Sequence, residues 1–173
     1  MYKILLSIVA VLAAPLLFSP VASQARDTAA TLPPADEWLK KVIAPCFSQD
    51  DKVNQAAHKT LEARYISAEL RKLLKDDSDE AAKRGEVGRL GFDWVVNGQD
   101  IPQQWSVGKP VTKGEVTEVP VHTSVPIDKE HTHYIILKVR PATESGSAAW
   151  TIVDARFQDN STLLGMLKAP YPQ

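Results

Sequence analysis

Cysteine is nearly missing from this sequence: Cys46 stands alone among 173 residues. A single thiol excludes a disulfide within the chain, whatever the redox compartment. Its setting, Ile43-Ala44-Pro45-Cys46-Phe47, is apolar and predicts a buried, inert thiol, with an intermolecular disulfide as the minority alternative. Excess charge of either sign is missing as well. Twenty Lys and Arg face 21 Asp and Glu, for a formal net charge of −1, which gives no electrostatic case for nucleic acid or an anionic membrane surface. Catalytic signatures are equally scarce. There is no G-x-S-x-G, and Cys46 adjoins no recognisable base, so nucleophilic catalysis has no support. Gly85, Gly88 and Gly91 are not a dinucleotide fingerprint, since no strand precedes them and no helix clearly follows. Asp76-Asp77-Ser78-Asp79-Glu80 lacks the glycine turn and distal glutamate of a calcium loop, and reads as a solvated helix end.

What is present begins with a processing segment. Lys3 supplies a positive start, Ile4 to Phe18 is apolar except for Ser7 and Pro15, and Ser23-Gln24-Ala25 offers small residues before Arg26. That layout predicts a secretory signal peptide over residues 1–25. The run is short and proline-interrupted for a membrane span, which needs roughly 20 apolar residues. No cysteine follows it directly to carry a lipid, and stable membrane insertion is not expected after cleavage. Cleavage near Ala25 takes the net charge from −1 to −2. The expected product is a soluble periplasmic or secreted protein with a linker over 26–34 and a single domain over 35–170.

Within that domain the first half reads as helical. Trp38, Leu39, Val42 and Ile43 form one stripe on a helix that stops near Pro45. Ser48 to Asp51 is a polar break with an N-cap for a second helix from Val53 to about Arg64, whose apolar face is weak because alanines dominate it. Ser67 caps a short third helix carrying Leu70, Leu73 and Leu74. The second half reads as strands. Trp105 to Thr112 is a first strand, bent or at an edge because of Pro110. Val116–Val125, His133–Arg140 and Trp150–Phe157 follow, with turns at Pro126 to Glu130 and Glu144 to Ser147. Pairing like faces puts Thr123 opposite His133 and Val121 opposite Ile135. Ser161 to Lys168 is a last short helix, capped by Ser161.

Tyr65-Ile66-Ser67-Ala68-Glu69-Leu70, Phe92-Asp93-Trp94…Gln99-Asp100 and the closing Trp150-Thr151-Ile152-Val153-Asp154 resemble the bacterial domain of unknown function 3828 family of exported proteins, over roughly residues 36–167. The resemblance implies an α+β fold of the nuclear transport factor 2-like cone class: N-terminal helices on a curved antiparallel sheet of about four strands. It implies an exported location and no settled activity.

The candidate site residues each carry two readings. His131-Thr132-His133 could offer zinc two imidazoles, but His122 falls on the opposite strand face and a third ligand, Asp154, depends on register. Turn-region surface histidines are the favoured reading, so no metal and no cofactor are expected. Asp154 shares the face of Trp150 and Ile152, where a carboxylate needs a partner. Arg156 and His133 are placed to supply it, either as an Asp–His general-base pair or as an ion pair or loop clamp. Asp93 and Asp100 flank the Asn97-Gly98 turn and suit a structural loop role. Trp94 and Trp105, with Asp154 and Arg156, are the candidates for lining a ligand surface, although core packing also accounts for the tryptophans. Together these features point to an exported, non-catalytic binding domain for a small ligand or an envelope or toxin protein, the latter as an immunity protein. The alternative is a small-molecule hydrolase or isomerase built on Asp154 and His133. Tyr134, Ile136 and Val153 mark the sheet face through which a homodimer would form.

Overall fold

Proline, small polar caps and charge pairs set the helix boundaries in the computed structural model, which describes residues 32–124, 133–143 and 149–171. Helix α1, Ala35–Ile43, starts after Pro34 with Asp36 and Glu37 in its first turn, and buries Trp38, Leu39 and Ile43. Pro45 tightens the chain into a 3-10 turn, Ala44–Phe47, which buries Cys46 and Phe47. Helix α2, Asp51–Arg64, is capped by Asp50, whose carboxylate accepts from the amides of Lys52 and Val53.

Helix α3 is longer than the apolar pattern predicts, running Ala68–Arg84 behind the expected Ser67 cap. The acidic run is solvated at Asp76, Ser78 and Asp79 but lies within the helix rather than at its end. Asp76, Asp79 and Glu80 pair one turn away with Lys72, Lys75 and Arg84, which carries the helix through the run. Asp77 turns inward and is buried. It accepts from the Arg89 amide at 3.0 Å, from Arg89 Nη1 at 2.7 Å and from the Tyr171 hydroxyl at 2.7 Å. The Arg89 guanidinium also lies 3.7 Å from the centre of the Tyr171 ring. The last described residue is thus tied back to α3. Gly85, with φ +66°, ends the helix in the left-handed conformation.

The second half folds into one sheet of five strands rather than about four: β1 Gln104–Val107, β2 Val111–Lys113, β3 Val116–Ser124, β4 His133–Pro141 and β5 Trp150–Arg156. The single strand expected from Trp105 to Thr112 is split by the Gly108–Pro110 break, and both pieces pair with the same edge of β3. Gly108 donates its amide to the Pro120 carbonyl at 2.8 Å. A side chain there would come within 2.8 Å of Pro120 Cγ, so the close approach needs glycine. β3 and β4 pair in the expected register, with Thr123 opposite His133 and Val121 opposite Ile135. β5 completes the antiparallel order β1-β3-β4-β5. Its free edge accepts one parallel bridge, in which Ser67 N and Ile152 N bond to the Ile152 and Tyr65 carbonyls at 2.8 Å each. The two expected turns and the 1–31 segment lie outside the described residues.

Alternation then decides the core. Val119, Val121, Ile135, Leu137 and Val139 point to one side of the sheet and are buried with Leu39 and Ile43 of α1, Leu61 of α2 and Leu70 of α3. Helix α4, Leu163–Lys168, buries Leu163 and Leu167 in the same core. Its cap is Thr162, which accepts from Gly165 N, rather than Ser161, whose hydroxyl donates to Asp159 Oδ1 at 2.6 Å. The architecture is α+β, with helices on a mostly antiparallel open sheet. No helix among the described residues is long and apolar enough to cross a membrane.

Candidate functional site

A β-bulge rearranges the residues the sequence singles out. Lys138 pairs with Asp154 but Val139 pairs with Ile152, leaving Val153 unopposed. The extra residue moves Asp154 away from the face of Ile152 and onto the face of Lys138 and Arg156. There Lys138 Nζ lies 2.9 Å from Asp154 Oδ2, and the Leu164 amide donates to Oδ1 at 3.0 Å. The carboxylate is buried with its charge answered by a lysine and a helix-start amide. His133 sits at the other end of β4, opposite Thr123, so strand register does not assemble an Asp154–His133 base pair. Arg156 reaches Glu118 at 3.5 Å and Asn160 at 3.4 Å instead.

Trp94 is buried in the core, and Trp105 stacks on Phe47 with ring centres 4.5 Å apart. His122 lies on the sheet face away from the core, opposite Tyr134, and His131 lies outside the described residues. Among the described residues no group of three or more His, Cys, Asp or Glu is arranged to hold a metal.

Asp93 is hydrogen-bonded within its own loop. Its Oδ1 accepts from Val95 N at 2.8 Å, and its backbone exchanges hydrogen bonds with Gly98 around Asn97, which has φ +56°. Asp100 is exposed and makes no such bond among the described residues. The other Asp93 oxygen meets a residue that the sequence does not advertise. His58 Nε2 on α2 lies 2.9 Å from Oδ2, a close contact between opposite charges. Hydrogen bonding to Asp93 first, then to Cys46, outweighs burial and pushes His58 up to about 10.

Cys46 therefore does adjoin an imidazole, brought to it by α2 packing on the 3-10 turn. The turn is further fixed by Asn54, whose side-chain amide donates to the Cys46 carbonyl. His58 is held protonated and cannot take a proton at neutral pH, while Cys46 has no exposed surface. The cluster binds α2 to the loop that carries Asp93 and Trp94, and it offers no nucleophile to a substrate.

A groove opens on the neighbouring face of α2. Val53, Ala56, Ala57, Thr60 and Leu61 recur at helical spacing and face Lys41, Val42 and Pro45 across a groove of about 580 Å³, with Tyr65 at one end. The physical cause is side-chain size. Two alanines stand where leucines would fill the space against α1, and Val53 is left 47% exposed. Apolar walls run the length of the groove, Lys41 and Lys52 supply positive charge, and none of its lining residues is acidic. A cleft of this size and polarity suits a small ligand that is mostly apolar. Neither tryptophan, nor Asp154 or Arg156, lines it. The weak alanine face of α2 was the available sequence signal.

No family model matches the chain, and neither the curated proteins nor the solved structures give a match.

Proposed function

We propose that this chain is an exported binding domain that takes a small apolar ligand bearing an acidic group in the groove between α1 and α2. The observation that carries the reading is the groove itself: about 580 Å³, walled by Val42, Pro45, Val53, Ala56, Ala57 and Leu61, with Lys41 and Lys52 as its charged lining residues. Apolar burial supplies affinity, at about 25 cal/mol per Å² removed from water, and the lysines select the acidic end. Residues 1–25 support export, and the motifs around Tyr65, Asp93 and Trp150 support membership of the domain of unknown function 3828 family, with a nuclear transport factor 2-like cone as the fold. Catalysis by Asp154 and His133 has no comparable support, because Lys138 and the Leu164 amide already engage the carboxylate.

Titration with anilinonaphthalene sulfonate, an apolar anionic fluorophore, and its displacement by decanoate tests the reading. Ala57→Leu fills the groove from a good helix former and should weaken both ligands about tenfold or more with little change in stability. Replacing Lys41 and Lys52 by Gln should weaken decanoate and spare decanol. Saturable binding that Ala57→Leu leaves intact, or no saturable binding at all, overturns the assignment. Sequencing the N-terminus of protein recovered from the cell envelope tests export, with Arg26 the residue expected first.

A further inference from the structure

We propose that a second cavity, at the start of α3, is a binding site for a phosphate-type oxyanion. It measures about 150 Å³ and is lined by Arg64, Arg71 and Arg140 together with Ser67, Thr143 and Thr151. That space is ample for a tetrahedral oxyanion, which is only a few times the size of a water molecule.

The guanidiniums are there for different local reasons. Arg71 is fixed by donating Nε to the Glu62 carbonyl at 2.7 Å and Nη2 to the Ile66 carbonyl at 3.2 Å, which leaves other N–H groups of its fork unused. Arg64, on the last turn of α2, and Arg140, on β4 opposite Thr151, make no side-chain hydrogen bond or close ion pair among the described residues, and Arg140 adds only a weaker attraction to Glu69. The one acidic lining residue, Glu69, is engaged by Lys168 Nζ at 2.7 Å, which holds its carboxyl below the usual range. The pocket is therefore cationic on balance, with three guanidiniums against the single carboxylate of Glu69. Planar forks of this kind match phosphate oxygens in pairs, and hydroxyls complete the set. Ser67 accepts from the Leu70 amide at 3.2 Å and so keeps its own proton for donation. Three positive groups favour a dianion over a carboxylate, so the predicted ligand is a phosphate or phosphate monoester, free or as a lipid headgroup.

Calorimetry at low ionic strength with inorganic phosphate, glycerol phosphate and phosphatidic acid vesicles, on the full mature chain, tests the site. Phosphate should bind at one site per chain and raise the melting temperature. Arg140→Gln and Arg64→Gln should each weaken it about tenfold or more, as expected for losing one charge-assisted bond, without lowering the melting temperature of the free protein. Ala57→Leu should leave phosphate binding unchanged, which separates this site from the groove. Preference for glycerol phosphate, or vesicle binding lost in Arg140→Gln, identifies the source of the phosphate and supports the site. No saturable phosphate or glycerol phosphate binding, equal weakening by the remote Lys40→Gln, or vesicle binding indifferent to Arg140 overturns it.

Discussion

Replacing His58 by Gln removes a positive charge that the fold holds against a carboxylate. Asp93 and Cys46 push His58 up to about 10 from an ordinary value of 6.5. A shift of that size, taken whole, is worth about 5 kcal/mol of preferential proton binding to the native state. The His58 and Asp93 side chains keep 20% and 28% of their surface exposed, however. Solvent screening at that exposure brings the expected contribution to about 1–3 kcal/mol. Its sign follows from linkage. The native value lies above the unfolded one, so the stabilisation is complete below about pH 6.5, declines as pH rises, and is gone above about pH 10. Urea unfolding of wild type and His58→Gln should differ by about 1–3 kcal/mol near pH 6 and by almost nothing near pH 10.5. Glu62 also faces His58; burial raises its carboxyl while the imidazolium pulls it back. Glu62→Gln should therefore leave the alkaline window in place. A gap between wild type and His58→Gln that stays constant or widens with pH refutes the reasoning. So does a native imidazole resonance that titrates near 6.5.

The remaining predictions concern stability. Asp154→Asn should cost about 1–3 kcal/mol by leaving Lys138 partly buried without its charge partner, and Lys138→Met in the same chain should recover part of the loss in a double-mutant cycle. Gly108→Ala should lower the denaturation midpoint by about 1–3 kcal/mol worth of stability, because its Cβ would lie 2.8 Å from Pro120 Cγ. Asp50→Ala should cost about 1 kcal/mol by freeing the Lys52 and Val53 amides, with residue-resolved amide exchange speeding up in the first turn of α2. Tyr171→Phe should lower the denaturation midpoint slightly, since it keeps the ring beside Arg89 but withdraws the hydroxyl from Asp77.

Local pattern made much of the fold legible. Alternation with a period of two fixed the Thr123–His133 register, and the Trp38, Leu39 and Ile43 stripe marked the buried side of α1. What stayed hidden depended on contacts between distant segments or on a single inserted residue. The bulge at Val153 reverses the face of Asp154, and strict alternation has no means of announcing it. The extent of α3 rests on ion pairs one turn apart, which apolar periodicity does not register. His58 looks like an ordinary polar position on α2 until the loop at Asp93 returns to meet it. The groove was visible only as a defect, an alanine-rich face with too little bulk. Its volume depends on where Lys41, Val42 and Pro45 lie relative to that face.

A decanoate titration followed residue by residue in an amide nitrogen–proton correlation spectrum tests the groove most directly. Saturable shifts centred on Val42, Val53, Ala56, Ala57 and Leu61, with Trp94 and Ile136 undisturbed, are the predicted result. Shifts confined to the outer sheet face around Tyr134 and Ile136, or none at saturating ligand, would contradict a ligand-binding role for the α1–α2 groove.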